Sequence, residues 1–165
     1  MVARPGDTIE SVRSVQLHFE QLVPLPRPRL FAFHTDPANL AVLLEGWPGF
    51  ELRGHPGSIR PGSRVLVRQG LGPLVFELEF EHVLFEPPER FGERQVRGPF
   101  ARFEHVHEFH QAPEGTRIVD RVDFALPLHL GGRVADHLIA GPKLRRFFAF
   151  RRAAYRRLLE AGTLS

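Results

Sequence analysis

The stretch that decides the fold is Phe76–His82, which reads FELEFEH. Aromatic or apolar side chains alternate with glutamates, and a period of two residues places the two sets on opposite faces of a strand. One packed face and one face in water are typical of an antiparallel sheet. We therefore expect Phe76, Leu78, Phe80 and His82 to face the interior from one strand of such a sheet.

The chain on both sides of this stretch repeats the same pattern in shorter runs, separated by Pro and Gly turn signals. Further strands are predicted at 15–20, 50–53, 64–71, 91–96, 100–110 and 116–124. Two short helices are predicted after the first strand, one around 30–34 and one from Asp36 to about Glu45. Asp as N-cap and Pro as the first helical residue favour the second start, at Asp36-Pro37.

The last third of the chain changes period and predicts one long amphipathic helix. Its apolar stripe comprises Val134, Leu138, Gly141, Leu144, Phe148, Arg151, Tyr155 and Leu158. Pro142 predicts a kink near 139–142 or two consecutive helices. The expected fold is therefore α+β: a curved antiparallel sheet of about seven strands wrapped around the C-terminal helix, with a cavity where the two stand apart.

Composition sets the outer limits of function. The 165 residues, 42% hydrophobic and 25% charged, suit a single globular domain at 14–160 after a polar tail at 1–13. The chain has no cysteine, which excludes disulfides and thiolate metal sites and suits a reducing cytoplasm. The longest apolar run, 40–44, is far too short to span a bilayer, and the first residues lack the apolar core of a signal peptide. A net charge of +3 is weak support for nucleic-acid binding, so we expect no nucleic-acid partner.

Several short motifs together resemble the START-like, or SRPBCC (Bet v 1-related), helix-grip family, and in particular its bacterial ligand-binding members. These motifs lie at 30–40 (LFAFHTDPANL), 87–91 (PPERF), 97–100 (RGPF), 105–109 (HVHEF), 120–122 (DRV) and 126–127 (LP). The likeness covers roughly residues 14–160. It implies a deep, mostly apolar cavity between the sheet and the long helix. Members of the family bind lipids, polyketides, hormones or quinones, and some are cyclases or hydroxylases. The ligand expected for this chain is a lipid, an isoprenoid or a polyketide-like molecule.

A group of inward-facing polar residues forms the candidate site. If the loop at Pro113 closes a simple hairpin, His107 lies opposite Asp120, His105 opposite Val122 and Phe103 opposite Phe124. Cross-strand partners have Cβ atoms about 5 Å apart, so a hydrogen bond between His107 and Asp120 is feasible. The predicted ligand-binding set is Phe76, Leu78, Phe80, His82, Phe103, His105, His107, Asp120, Val122, Phe124, Leu144, Phe148 and Arg151.

Each of these assignments has a plainer alternative. His107 and Asp120 can be a structural pair that satisfies two buried polar groups. His105 and His107 have the spacing of two metal ligands, with Asp120 as a third, but among nine histidines chance pairs are common, and we expect neither metal nor cofactor. Arg151 can reach inward to Asp120, or its stem can lie along the core with its head in water.

Trp47 and the arginines of the last helix each have two possible roles. Trp47 either caps the mouth of a cavity or packs under a loop. A set of arginines crowds the last helix and forms either a solvated face or a surface for membranes: Arg145, Arg146, Arg152, Arg156 and Arg157.

The sequence favours a carrier or sensor of a small apolar molecule, in which Phe and Leu supply affinity and the polar group orients one end of the ligand. The alternative is an enzyme of cyclase or dehydratase type, with His107 as general base supported by Asp120. The sequence contains no nucleophile motif and no phosphate-binding loop, so catalysis is the second choice. Oligomeric state is not predicted.

Overall fold

The computed structural model describes residues 14–164, and the polar tail predicted at 1–13 lies outside them. The strands are β1 Val15–Val23, β2 Phe50–Gly54, β3 Arg64–Leu71, β4 Leu74–Glu86, β5 Arg90–Arg97, β6 Arg102–Ala112 and β7 Gly115–Ala125. The helices are α1 Arg27–Thr35, α2 Asn39–Leu43, α3 Gly132–Ala135 and α4 Gly141–Glu160. A 3-10 turn at Leu128–Leu130 precedes α3, and a π turn at Asp136–Ala140 joins α3 to α4.

All seven strands form one antiparallel sheet in the order β1-β7-β6-β5-β4-β3-β2. The last strand, β7, pairs with the first, so β1 and β2 form the two edges of the sheet and the other strands lie between them. The predicted seven-stranded α+β architecture with a long C-terminal helix is confirmed. No helix in residues 14–164 combines the length and the apolar character needed to cross a bilayer.

The short helices begin where proline permits them. Pro26 precedes α1 and Pro28 lies in its first turn, where a missing N–H costs no helical hydrogen bond. The predicted cap at Asp36 forms a local turn instead, in which Asp36 Oδ1 accepts a hydrogen bond from Ala38 N at 3.0 Å. The second helix begins after this turn and is shorter than predicted, because it ends at Leu43 rather than at Glu45.

The inner face of β4 follows the predicted alternation as far as His82. A register irregularity between His82 and Leu84 then shifts the phase of the strand. Phe85, whose ring centroid lies 5.9 Å from that of Phe31, takes the inward position that strict alternation gave to Leu84. An extra residue in one strand reverses the facing of every residue that follows it.

Arg–acid ion pairs line the outer face and edges of the sheet. They include Arg64–Glu79, Arg94–Glu81, Arg97–Glu77, Arg102–Asp123, Arg117–Glu20 and Arg121–Glu108. Most of these arginine side chains are roughly half exposed, so each pair contributes little to stability individually. The pairs nevertheless neutralise most of the sheet's arginines within the sheet itself.

The interior is packed densely at one end. Leu30, Phe31, Phe109, Ile118 and Tyr155 are all buried there, where α1 and the C-terminal half of α4 meet the sheet. A second cluster joins β1 and β7 to α4, with the rings of Phe19 and Phe148 stacked at 4.1 Å. These two clusters hold α4 against one side of the sheet.

The predicted apolar stripe of the C-terminal helix is wrong at its start. Val134 is 66% exposed and Leu138 is 71% exposed, whereas Ala135, Asp136 and Ala140 are buried. The π turn at Asp136–Ala140 adds residues to one turn and so rotates the preceding segment relative to α4. Pro142 lies in the first turn of α4, so the predicted interruption near 139–142 is confirmed as a change of helix type.

Candidate functional site

Four polar side chains form a row across the inner face of the sheet, one from each of four adjacent strands. His82 on β4 lies 3.7 Å from Glu93 on β5, Glu93 lies 3.4 Å from His105 on β6, and His105 lies 2.9 Å from Asp120 on β7. The strand register brings them together, since β5 pairs Glu93 with both His82 and His105. We call His82, Glu93, His105 and Asp120 the polar row.

The hairpin register predicted from the sequence is confirmed. His107 pairs with Asp120, His105 with Val122 and Phe103 with Phe124. The hydrogen bond to Asp120, however, comes from the diagonal neighbour: His105 Nε2 donates to Asp120 Oδ1. His107 Nδ1 lies 2.7 Å from the same oxygen but is buried without an aligned hydrogen bond.

Arg151 reaches the row from α4, as one of its two predicted placements required. Its guanidinium donates from Nη1 to Asp120 Oδ1 at 3.4 Å and lies 5.2 Å from the centre of the Phe148 ring. The side chain is almost completely buried, so its charge faces a carboxylate and an aromatic ring rather than water.

The charges of the row depend on one another. Burial opposes the charged form of Asp120, but Arg151 and the two histidines hold its pKa well below the usual value. Burial similarly opposes the charged form of Glu93, but His105 lowers the pKa of Glu93 to about 2. Burial alone would lower the pKa of His105, whereas its hydrogen bonds to Asp120 and Glu93 raise it. Two carboxylates therefore face one guanidinium and one imidazolium, so the buried charges balance.

His107 is held in the opposite protonation state from its neighbour. Burial, followed by the positive charge of His105, lowers the pKa of His107 to about 4. The two imidazole rings have centroids 3.9 Å apart. A pair of neighbouring groups whose pKa values are pushed apart is the arrangement from which acid and base roles arise in enzymes.

Sequence reasoning missed three residues of this cluster. Glu93 could have been found, because it alternates with Phe91 on the same strand face. His34 and Tyr155 contact each other through the Tyr155 hydroxyl and His34 Nε2 at 2.5 Å, and no spacing along the chain signals a contact between α1 and α4. Burial lowers the pKa of His34 and raises that of Tyr155.

Glu93, His105 and His107 are the residues that could hold a metal ion. Each offers one ligand atom, and these atoms lie within 4.8 Å of one another. Two imidazoles and one carboxylate suit Zn²⁺. The imidazolium of His105 already neutralises Glu93, so an ion would have to displace that proton.

The space near the row differs greatly from the space at the open end of the sheet. Beside Asp120 and Arg151 the free volume is about 10 Å³, which is room for about one water molecule. At the other end a cleft of about 560 Å³ opens between the start of β4, the β5–β6 turn and the segment after β7. Its lining residues are Val75, Phe76, Glu77, Arg97, Gly98, Pro99, Pro127, His129 and Leu130.

The predicted ligand-binding residues divide between these two regions. Those towards the open end are only partly buried: Phe76, Leu78, Phe80, Phe103 and Leu144. The others are fully buried in the row or in the core between β1, β7 and α4: His82, His105, His107, Asp120, Val122, Phe124, Phe148 and Arg151.

Trp47, in the loop between α2 and β2, packs against α4, and its predicted role as a cap over a cavity mouth stays a prediction. Its ring packs against Phe147 and Phe150 of α4, with centroids 5.3 and 5.2 Å away. Its indole nitrogen donates to Gln69 on β3 at 3.2 Å. The loop that carries Trp47 therefore joins the edge of the sheet to the helix.

No family model matches the chain, and no curated protein matches it. Solved structures do. A protein from Rhodobacter sphaeroides superimposes with a TM-score of 0.69 at 19% identity, covering 88% of this chain and 93% of that one. A Thermus thermophilus protein gives a TM-score of 0.67 at 21% identity, covering 89% and 99%.

A third similar structure connects this architecture with the resemblance seen in the sequence. Ara h 8.0201 superimposes with a TM-score of 0.64 at 13% identity, covering 90% of this chain and 99% of that one. Identities this low establish the architecture alone. The chain has the helix-grip fold that the resemblance of its motifs implied.

Proposed function

We propose that the protein binds a small, mostly apolar molecule at the open end of the sheet, beside the segment between β7 and α4, and acts as its carrier or sensor. The observation that carries this proposal is the cleft of about 560 Å³ beside inward-facing apolar side chains that remain partly exposed. Packed interiors seldom leave such residues in contact with solvent, and apolar concave surfaces are the usual form of small-molecule sites.

The apolar wall supplies much of the binding free energy in this proposal. Phe76, Leu78 and Phe80 lie along one strand, and Phe103 lies beside them, with its ring centroid 5.6 Å from that of Phe80. At ~25 cal/mol per Å², a ligand that buries about 300 Å² of apolar surface gains about 7 kcal/mol before the entropic cost of binding. A micromolar Kd corresponds to about 8 kcal/mol of net binding free energy, so contacts with the polar end of the ligand have to supply the remainder.

The polar end of the ligand would meet the boundary between this wall and the polar row. Glu93 is the least buried member of the row, with a side chain 20% exposed. Gln95, two residues further along the same face, has a buried Oε1 without a hydrogen-bond partner among residues 14–164. We propose that a ligand hydroxyl or amine donates to one of these oxygens, while His105, which Asp120 holds in position, keeps Glu93 charged.

A filled cleft tests the proposal. Leu78→Trp inserts a large ring into the open region, and we expect it to weaken binding of an apolar fluorophore at least tenfold. Val83→Trp is the matched control, because Val83 lies on the same strand with its side chain in solvent. Equal affinity of both variants and of the unchanged protein would contradict the proposed site. Native mass spectrometry of protein purified from its own host identifies the natural ligand class.

A second function, an acid–base enzyme of cyclase or dehydratase type, is favoured by one observation. His107 is neutral at physiological pH and keeps a ring nitrogen without an aligned hydrogen bond, next to the carboxylate of Asp120. In such an enzyme His107 would remove a proton adjacent to a ligand carbonyl. This function predicts turnover of a polyketide-like substrate, and a rate that falls by orders of magnitude in Asp120→Asn. If the protein shows no turnover, the carrier function is retained and the enzyme is rejected.

A further inference from the structure

The segment between β7 and α4 exposes more apolar surface than its composition leads one to expect. Leu128 is 89% exposed, Leu138 is 71% exposed and Ile139 is 53% exposed. Leu130 and Val134 are exposed as well. We call residues 128–139 the apolar segment. Contiguous exposed apolar surface on a folded protein usually marks an interaction site.

The tip of the β3–β4 hairpin continues this surface across the cleft. Leu74 and Val75 are more than half exposed, and Val75 lines the cleft opposite Leu130. Exposed apolar side chains therefore stand on both sides of the cleft entrance.

Basic side chains flank the apolar segment, and exposed acids are absent from it. Arg133, Lys143, Arg145 and Arg146 are exposed and form no ion pair within residues 14–164. Asp136 is the one acidic residue between positions 124 and 159. Its side chain is buried, with Oδ1 accepting a hydrogen bond from Leu126 N at 2.7 Å, so it does not face a partner.

The combination of apolar and basic groups selects one kind of partner. A second copy of this chain would bring like charges together. A nucleic acid would pair with the basic groups but would leave the five exposed aliphatic side chains without an apolar partner. A bilayer with anionic headgroups accepts both, because aliphatic side chains enter the headgroup region while Arg and Lys remain at the phosphates.

We propose that residues 128–146 form a docking surface for anionic lipid bilayers, on which the protein rests with the cleft entrance facing the lipid. Leu128, Leu138 and Ile139 enter the interface, and Lys143 and Arg146 contact phosphates. Lys143 and Arg146 are three residues apart on α4, so they lie on one helical face and can meet the same plane. The proposal does not depend on the carrier function, since docking requires no ligand in the cleft.

Vesicle sedimentation tests the docking surface in the full chain without added ligand. Vesicles of phosphatidylcholine with one quarter phosphatidylglycerol should bind the protein at least tenfold more tightly than vesicles of phosphatidylcholine alone. Leu138→Glu should lower the affinity for the anionic vesicles at least fivefold, and so should the double change Lys143→Glu with Arg146→Glu. Raising the salt concentration should weaken binding of the unchanged protein.

Val83→Glu is the matched control, because Val83 is also an exposed aliphatic residue, 46% accessible, and lies eight residues along β4 from Val75, or about 26 Å. It should bind vesicles as the unchanged protein does. Circular dichroism and thermal unfolding confirm that each variant is folded. Three outcomes would each overturn the proposal. The first is vesicle binding that Leu138→Glu leaves unchanged, and the second is equal binding to both vesicle types. The third is a dimer, seen in sedimentation velocity, that Leu138→Glu dissociates.

Discussion

Arg151 illustrates at the residue scale what a buried charge requires. Its Nη1 contacts Asp120, and its guanidinium lies against Phe148, with 4% of the residue exposed. Removing one partner of such a pair leaves the other buried and uncompensated. We expect Arg151→Leu to lower the free energy of unfolding by about 3–5 kcal/mol, measured by urea denaturation.

The control for this change is Arg156→Leu, on an exposed position of the same helix. Surface substitutions away from special features alter stability by about 0.5 kcal/mol or less. If the two variants were equally stable, the interaction of Arg151 with Asp120 would contribute nothing measurable.

His107 makes stability depend on pH in a defined direction. Its folded pKa of about 4 lies below the unfolded value of 6.5, so between these values the unfolded chain binds a proton that the folded chain does not. The stabilisation is therefore complete above pH 6.5 and is lost as the pH falls to 4. At ~1.4 kcal/mol per pKa unit, the full loss is about 3 kcal/mol.

Urea denaturation between pH 7 and pH 4 measures this loss, and His107→Gln should lose less stability over that range than the unchanged protein. His18→Gln is the control, because His18 is exposed on β1 and forms no ion pair within residues 14–164. Parallel profiles for the unchanged protein and His107→Gln would show that His107 is not held neutral.

The sequence contained the pairing of His107 with Asp120 but not the bonding of either residue. Counting outward from a two-residue loop at Pro113 and Glu114 gives the register, because hairpin loops fix cross-strand partners. Which histidine donates to Asp120 depends on ring orientation, and Glu93 joins the row through the separate pairing of β5. Those facts are set by packing and not by spacing along the chain.

At the scale of secondary-structure elements, the pairing of strands depends on glycine at a few backbone positions. Gly115 begins β7 with φ +137°, and a Cβ atom there would lie 2.2 Å from the carbonyl oxygen of Val23. Gly72, in the β3–β4 turn, has φ +57° and open space around it. We expect Gly115→Ala to destabilise the protein by more than about 3 kcal/mol and Gly72→Ala by about 1 kcal/mol in urea denaturation.

This difference separates steric conflict from backbone strain. Both changes force alanine into a conformation that glycine favours, but only the change at Gly115 pushes a methyl group into β1. Similar losses of stability in both variants would mean that β1 yields easily at Val23.

The C-terminal helix shows why a stripe of apolar residues can mislead. Period 3.6 placed Val134 and Leu138 inward together with Phe148, and the stripe is correct from Gly141 onward. A π turn contains more residues per turn than an α-helix, and no sequence pattern in 136–140 predicts it. Asp136, buried and bonded to Leu126 N, marks the side of this segment that faces the protein.

We expect Asp136→Ala to free the backbone N–H of Leu126, to lower the free energy of unfolding by about 1–3 kcal/mol and to speed amide hydrogen exchange between 126 and 140. His137→Ala, a change at an exposed neighbour, should do neither. Unchanged exchange in Asp136→Ala would show that the π turn holds the segment without this hydrogen bond.

For the whole molecule, the proposed ligand and stability are linked. A ligand at one hundred times its Kd stabilises a folded protein by about 2.7 kcal/mol, which for a chain of this length raises Tm by roughly 5–10 °C. We expect an apolar ligand that fills the cleft to raise Tm in the unchanged protein and in Val83→Trp but not in Leu78→Trp. Equal shifts in all three would place the ligand outside the cleft.

The acid partners of the sheet arginines give the molecule an electrical polarity that its net charge of +3 conceals. Between positions 124 and 159 the chain has eight arginine and lysine residues, of which seven are exposed, and a single acidic residue, which is buried. A protein with a nearly neutral sheet and a positively charged C-terminal helix has a dipole moment, so the field of a negatively charged surface rotates it during approach. The basic side of the molecule therefore reaches such a surface first, in one preferred orientation.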